Sequence, residues 1–163
     1  MKHLLFILTL LIASSAAAQQ KPAAPQMEYV MQLRVLIDKP YAVGDTPRGK
    51  RIIIPITGGT FEGPQLRGTV LPGGADYQLV SPDGSRTELE AIYSIRTDNG
   101  CTIHIRNRGI SINDRNAPYF KAAPQFEAPA GSPYSWLNDA LFVCQPDSAS
   151  LKGGIILNVW KVK

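Results

Sequence analysis

Arg86-Thr-Glu-Leu-Glu-Ala-Ile-Tyr-Ser-Ile-Arg-Thr97 and Cys101-Thr-Ile-His-Ile-Arg-Asn107 flank the tripeptide Asp98-Asn99-Gly100. In the first run Leu89, Ala91, Tyr93 and Ile95 oppose Glu88, Glu90, Ser94 and Arg96. In the second, Ile103 and Ile105 oppose His104 and Arg106. Alternation with a period of two puts one face of each run in a core and the other in water. Asn-Gly suits the positive φ values of a type I′ turn, so the stretch reads as an antiparallel hairpin.

The same grammar extends in both directions. Met27, Tyr29, Met31, Leu33, Val35 and Ile37 alternate with Glu28, Val30, Gln32, Arg34, Leu36 and Asp38. Arg51–Thr57 is β-branched and apolar, and Pro55 inside it marks a bulge or an unpaired edge position. Gln65–Leu71 and Ala75–Ser81 are further strands, joined by Pro72-Gly73-Gly74, and Ser81-Pro82-Asp83-Gly84 is a turn. Leu141–Cys144 and Ile155–Val162 close the chain. Lys39–Lys50 reads as a loop, and Gly109–Pro133, with four prolines, as irregular. Tyr134–Asp139 has room for one helical turn, and no convincing amphipathic helix is visible. Eight or nine strands with short turns predict an antiparallel sandwich or barrel. Full closure would remove the exposed edges of so many strands.

Not all 163 residues belong to that fold. Lys2, the apolar run Leu4–Ile12 and the small residues ending in Ala16-Ala17-Ala18 form an export signal, residues 1–18. The apolar run is too short to span a bilayer, which takes about 20 residues. Cleavage after Ala18 would release the chain to the periplasm or medium. It would leave 145 residues (163 minus 18) and lower the net charge from +4 to +3, because Lys2 is lost. Residues 19–26 are a polar, Pro-rich leader expected to be disordered. Residues 27–163 then form one domain. The basic residues are scattered, with Arg106, Arg108 and Arg115 the nearest thing to a patch, so no nucleic-acid partner is expected. No membrane association is expected after cleavage. Self-association into a homo-oligomer stays open.

Two Gly/Pro corners, Gly58-Gly59-Thr60-Phe61-Glu62-Gly63-Pro64 and Leu71-Pro72-Gly73-Gly74-Ala75-Asp76, each carry a lone carboxylate. Glu62 and Asp76 are the catalytic candidates, a pair suited to acid/base work if burial splits their pKa values. Alternatively each caps backbone N–H groups in a Gly-rich turn. Arg106 can hold a carboxylate or enolate ligand if it faces inward, or pair with Glu127 or Glu88 if it does not. Asn138, after Trp136-Leu137, either fixes a turn or reads a ligand. Tyr93, Trp136 and Tyr77 are candidates for an aromatic pocket, with Phe61, Tyr119 and Phe126 beside them, or for plain core. His104, the one histidine left after cleavage, reads as an exposed strand residue. No metal-ligand spacing, P-loop, nucleophile elbow or Cys-x-x-Cys occurs, so neither metal nor cofactor is expected. Cys101 and Cys144 are either a disulfide formed after export or two buried thiols.

The glycine-rich corner at Gly58–Pro64 resembles the opening motif of the bacterial and fungal proteins known as domain of unknown function 3237. The likeness continues through Gly68, Pro72–Asp76, Pro82-Asp83-Gly84, Tyr93, Arg96-Thr97-Asp98, Arg106–Gly109, Tyr119-Phe120, Phe126-Glu127 and Trp136-Leu137-Asn138. It implies a single closed antiparallel β-barrel of about eight strands, a calycin-like meander, and little chemistry. Glu127 joins the ligand-contacting candidates. Three departures stand out: an export signal where many relatives look cytoplasmic, Tyr77 where Trp is frequent, and cysteines at positions usually small. The resulting expectation is an exported barrel that binds a small organic molecule. The alternative is an enzyme without cofactor that catalyses isomerisation, elimination or cyclisation in the same cavity.

Overall fold

The computed structural model describes residues 21–163, so the export signal and its cleavage point lie outside the described residues. Residues 21–26 carry no regular structure. Ten strands follow: β1 (Met27–Ile37), β2 (Tyr41–Thr46), β3 (Gly49–Glu62), β4 (Arg67–Val70), β5 (Gly74–Val80), β6 (Arg86–Thr97), β7 (Thr102–Ile112), β8 (Tyr119–Glu127), β9 (Phe142–Pro146) and β10 (Gly154–Val162). A 3₁₀ turn, Ser135–Asp139, falls between β8 and β9.

The sheet closes because β1 has a partner on each edge. It pairs with β10 from Met27 opposite Val162, and with β3 from Gln32 opposite Glu62. The circuit runs β1, β10, β9, β8, β7, β6, then β4 and β5 sharing one place, then β3 and back to β1. That makes an eight-position antiparallel barrel, with β2 as an outside strand on β3.

β3 is the pivot. Its first half, Lys50–Ile56, pairs with β5 and its second, Gly59–Glu62, with β4. On the other edge it pairs first with β2 and then with β1. The changeover falls at Gly58 and Gly59, where φ is +144° and +133°. A Cβ on Gly59 would strike the carbonyl oxygen of Arg34 on β1. The glycine pair is therefore not a corner between strands. It lies inside one long strand, where a neighbouring backbone comes too close for a side chain. Pro55 precedes it in the gap between β2 and β1, and its carbonyl accepts the Asp38 N–H at 2.9 Å. A residue's N–H and C=O share one edge, so the missing donor falls where no ladder bond is required.

Three other expectations are corrected. Lys39–Lys50 is not a loop, because it holds β2 and the start of β3. Gly109–Pro133 is not irregular, because β7 continues to Ile112 and β8 occupies Tyr119–Glu127. In β8 Ala122, Pro124 and Phe126 are buried while Ala123, Gln125 and Glu127 are exposed, so strand alternation survives the proline. The β6–β7 turn is not type I′, since Asn99 lacks the positive φ that type requires. Gly100 alone is left-handed, at φ +88°, and its N–H reaches the Thr97 carbonyl at 2.8 Å.

The barrel ends differ. At one end the 3₁₀ turn folds across the opening. Leu137 is buried beneath it, Phe126 and Phe142 meet edge-on at 4.8 Å, and Trp136 leans on Phe142 at 6.2 Å. Asn138 latches the turn to the chain just past β8: its Oδ1 accepts the Ala128 N–H at 2.8 Å and its Nδ2 donates to the Ala128 carbonyl at 3.0 Å. The middle is packed solid by Leu33, Ile95, Ile103, Ile105 and Val159, each at most 1 % exposed. The opposite end is not filled.

Candidate functional site

Strand alternation decides what lines the unfilled end. On β5, Asp76 and Gln78 turn inward and Tyr77 outward; on β6, Leu89, Ala91 and Tyr93 turn inward; on β7, Asn107 turns inward and Arg106 outward. Cross-strand register then aligns Ile54, Asp76, Ala91 and Asn107 in one row across β3, β5, β6 and β7. They border a cavity of about 120 Å³. Its walls are mainly apolar, from Ile56, Leu89, Phe120, Ile155, Leu157 and their neighbours. Asp76, Gln78 and Asn107 are the polar lining residues.

Asp76 is the charged member. Its Oδ2 accepts from Gln78 Nε2 at 2.7 Å and its Oδ1 from the Glu90 backbone N–H at 3.2 Å. Burial nonetheless outweighs both bonds and raises the carboxyl above its ordinary range. Deeper in, Asn107 Nδ2 donates to the Cys144 sulfur at 3.7 Å, while Asn107 Oδ1 is buried without a partner. The Tyr93 hydroxyl is also buried and unpartnered. Burial, then Cys144 and Asp76, raise the Tyr93 phenol. Burial pushes the Cys144 thiol up to about 12, so it stays protonated at neutral pH.

The sequence-derived candidates separate on this frame. Asp76 and Tyr93 belong to the cavity and the floor beneath it. Glu62 does not join them: it follows buried Phe61 on β3, so alternation turns it outward, where it shares a surface hollow with Arg34, Arg67 and Asp98. The proposed Glu62–Asp76 pair is not assembled. Arg106 faces outward as well, and its Nε binds Glu90 Oε1 at 2.8 Å, an oxygen shared with Arg108 Nε at the same distance. Neither Glu127 nor Glu88 is its partner; Glu127 is exposed at the end of β8 and Glu88 pairs with Arg86. Tyr77 is exposed on the outer face. Trp136 and Asn138 belong to the opposite, plugged end. His104 lies on the outer side of β7, where its Nδ1 bonds the Ser94 hydroxyl at 3.2 Å.

The disulfide is not formed, and both cysteines are free thiols. Cys144 touches Asn107, whereas Cys101 lies six residues before Asn107 on the same chain segment. At ~3.3 Å per strand residue that is ~20 Å, far beyond the ~7 Å Cα limit for a bridge.

Gln78 and Asn107 are the site residues that sequence reading passed over. The signal was present: Asn107 is in phase with Ile103 and Ile105, and Gln78 with Asp76. The same phase places Arg106 and Tyr77 outside.

Comparison with known proteins agrees with the architecture. Residues 25–162 match the model of the family described as protein of unknown function DUF3237. A UPF0311 protein of Clostridium acetobutylicum is 37% identical over 150 residues, covering 83% of this chain and 92% of that protein. A crystal structure of a β-barrel-like protein from Acinetobacter baumannii is 32% identical, with a TM-score of 0.78 over 89% of this chain and all of that one. A conserved protein of unknown function from Rhodopseudomonas palustris has a TM-score of 0.76 at 32% identity, over 87% of this chain and all of that one. An enzyme from Penicillium herquei shares the fold with a TM-score of 0.71 at 23% identity, over 88% of this chain and 98% of that one. A closed barrel from β1 to β10, matched by sequence almost throughout, makes this chain a member of the DUF3237 family.

Proposed function

We propose that the protein is exported and that the open end of its barrel binds a small organic molecule. One observation carries the binding reading: an apolar cavity is lined by a half-buried carboxylate, Asp76, and by Asn107, whose buried amide oxygen has no partner. Buried polar atoms normally find partners, and a pocket with apolar walls and a few convergent polar groups is the usual form of a ligand site. The volume of about 120 Å³ sets the scale. A dry cavity of ~150 Å³ takes benzene, so the enclosed part of the ligand is about one small ring. Larger ligands would project through the mouth.

The test is a thermal-shift series on the mature chain with ring compounds of that size, repeated on Ala91→Phe, which fills the cavity from its centre. A saturable upward shift in the parent and none in the variant supports the reading. Equal shifts in both, or none in the parent, would overturn it. Export is tested by the mass of protein recovered from a bacterial periplasm: a chain starting at Gln19 supports it, and a full-length chain retained in the cytoplasm opposes it.

Asp76 also favours a second reading, acid/base catalysis without cofactor. Burial raises its carboxyl above the ordinary range, which suits a proton donor or acceptor. Glu62 lies too far around the fold to be the partner, so Asp76 would act with groups of the ligand itself. If a bound compound is converted, Asp76→Asn loses turnover even at saturating ligand; unchanged turnover at saturation removes Asp76 from the chemistry.

A further inference from the structure

We infer that the ligand is a compact apolar molecule bearing a protonated amino group, seated with its ammonium between Asp76 and Asn107. The inference rests on the binding reading above and gives it a chemical class.

The hydrogen-bond inventory of the cavity is lopsided. Gln78 Nε2 is engaged with Asp76, and Asn107 Nδ2 with Cys144. Against these, Asn107 Oδ1 has no donor at all. Asp76 accepts two bonds where a carboxylate offers about four lone-pair sites. Acceptors therefore outnumber donors around the cavity, and a ligand seated there must supply donors.

The charge inventory points the same way. Asp76 is the one ionisable residue among those lining the cavity, and no ion pair among the described residues includes it. The arginines of the neighbouring strands are turned outward, where Arg106 and Arg108 are held by Glu90. A half-buried carboxylate without a counter-charge carries a desolvation cost, and a ligand cation offsets it. A carboxylate ligand would place a second negative charge beside the first in a low-dielectric space. An alcohol supplies a donor but no charge, and adds another acceptor oxygen. An ammonium supplies three donors and the missing charge together.

The spacing accommodates it. Asp76 and Asn107 both stand opposite Ala91, one on each neighbouring strand. Two strand spacings separate their backbones by ~10 Å, and a methyl side chain between them leaves that space unfilled. Both residues line the cavity, one on each side of Ala91.

The experiment is titration of the mature protein with benzylamine, benzyl alcohol and benzoate, by calorimetry and by backbone NMR shifts at cavity residues. Benzylamine is expected to bind at least tenfold tighter than benzyl alcohol, with benzoate inert, and Asp76→Asn should abolish that preference. Asn107→Leu should reduce it severalfold and serves if Asp76→Asn does not fold. Benzyl alcohol binding the cavity as tightly as benzylamine would overturn the amine assignment and leave the binding reading intact. No shift at cavity residues with any of the three would overturn both.

Discussion

The two ends of this barrel solve the same problem in opposite ways. At the plugged end every group is answered: aromatic rings fill the opening, and both amide positions of Asn138 are paired with one peptide unit, Ala128. At the open end the walls are equally apolar, but Asn107 Oδ1 and the Tyr93 hydroxyl are left over, and Asp76 is half-buried with no ion-pair partner among the described residues. The first arrangement is what stability alone would select. The second gives up stability, and two of the groups that do so, Asp76 and Asn107, line one cavity.

Substitutions should break the two ends differently. Phe126→Ala removes a buried ring from the plug and should cost about 3–5 kcal/mol in denaturant unfolding, while the ligand-dependent shift of the surviving folded protein stays unchanged. Asn138→Ala unlatches the 3₁₀ turn and should cost about 2 kcal/mol, again without altering cavity binding. Asp76→Asn should act in the opposite direction. Because the folded-state pKa is raised, the contribution of Asp76 is fully present below the unfolded value of ~3.9 and is lost as pH rises through the folded value. The variant should therefore match the parent near pH 3 and exceed it at pH 7 by about 1 kcal/mol, the scale of a single stabilising substitution. Thermal melts across that range would show the divergence, and parallel curves would contradict it. Arg106→Ala, on the outer wall, should change stability by less than about 1 kcal/mol, fade further in salt, and leave ligand binding alone.

Asp83 offers the mirror image of Asp76 outside the barrel. Ser81 and Ser85 hydrogen bonds hold its carboxyl down to about 2. Its contribution is present above ~3.9 and is lost as pH falls towards 2, so Asp83→Ala should flatten the acid limb of the stability profile that Asp76→Asn leaves untouched.

Much of this was legible in the chain. Period-two alternation located β1, β6 and β7, and the lone carboxylate beside the Pro72-Gly73-Gly74 corner drew attention to Asp76. It failed where a residue's ordinary meaning was overruled by its neighbours. Gly58-Gly59 looks like a turn because glycine turns are common, but here the glycines admit the β1 backbone against a continuous strand. Prolines hid β8, although Ala122, Pro124 and Phe126 keep the inward phase. The site was half legible for a related reason. Chemical type drew attention to Arg106 and Glu62, whereas alternation, already established for β7, turns Arg106 outward, and the unforeseen continuation of β3 to Glu62 turns that residue outward too. Asn107 has no conspicuous chemistry of its own. Its importance comes from lacking a partner, a property of the folded interior that no linear pattern displays.

The pairing of β1 with β10 has a practical consequence. Met27 stands opposite Val162, and the Lys163 N–H bonds the Gln26 carbonyl at 2.8 Å, so the two chain ends of the barrel lie side by side. Both are at the plugged end, where Lys161 stacks over Trp136 at 5.4 Å. A fusion partner, a bead or a sensor surface joined at either position would hold the molecule by its closed base and leave the mouth facing solution.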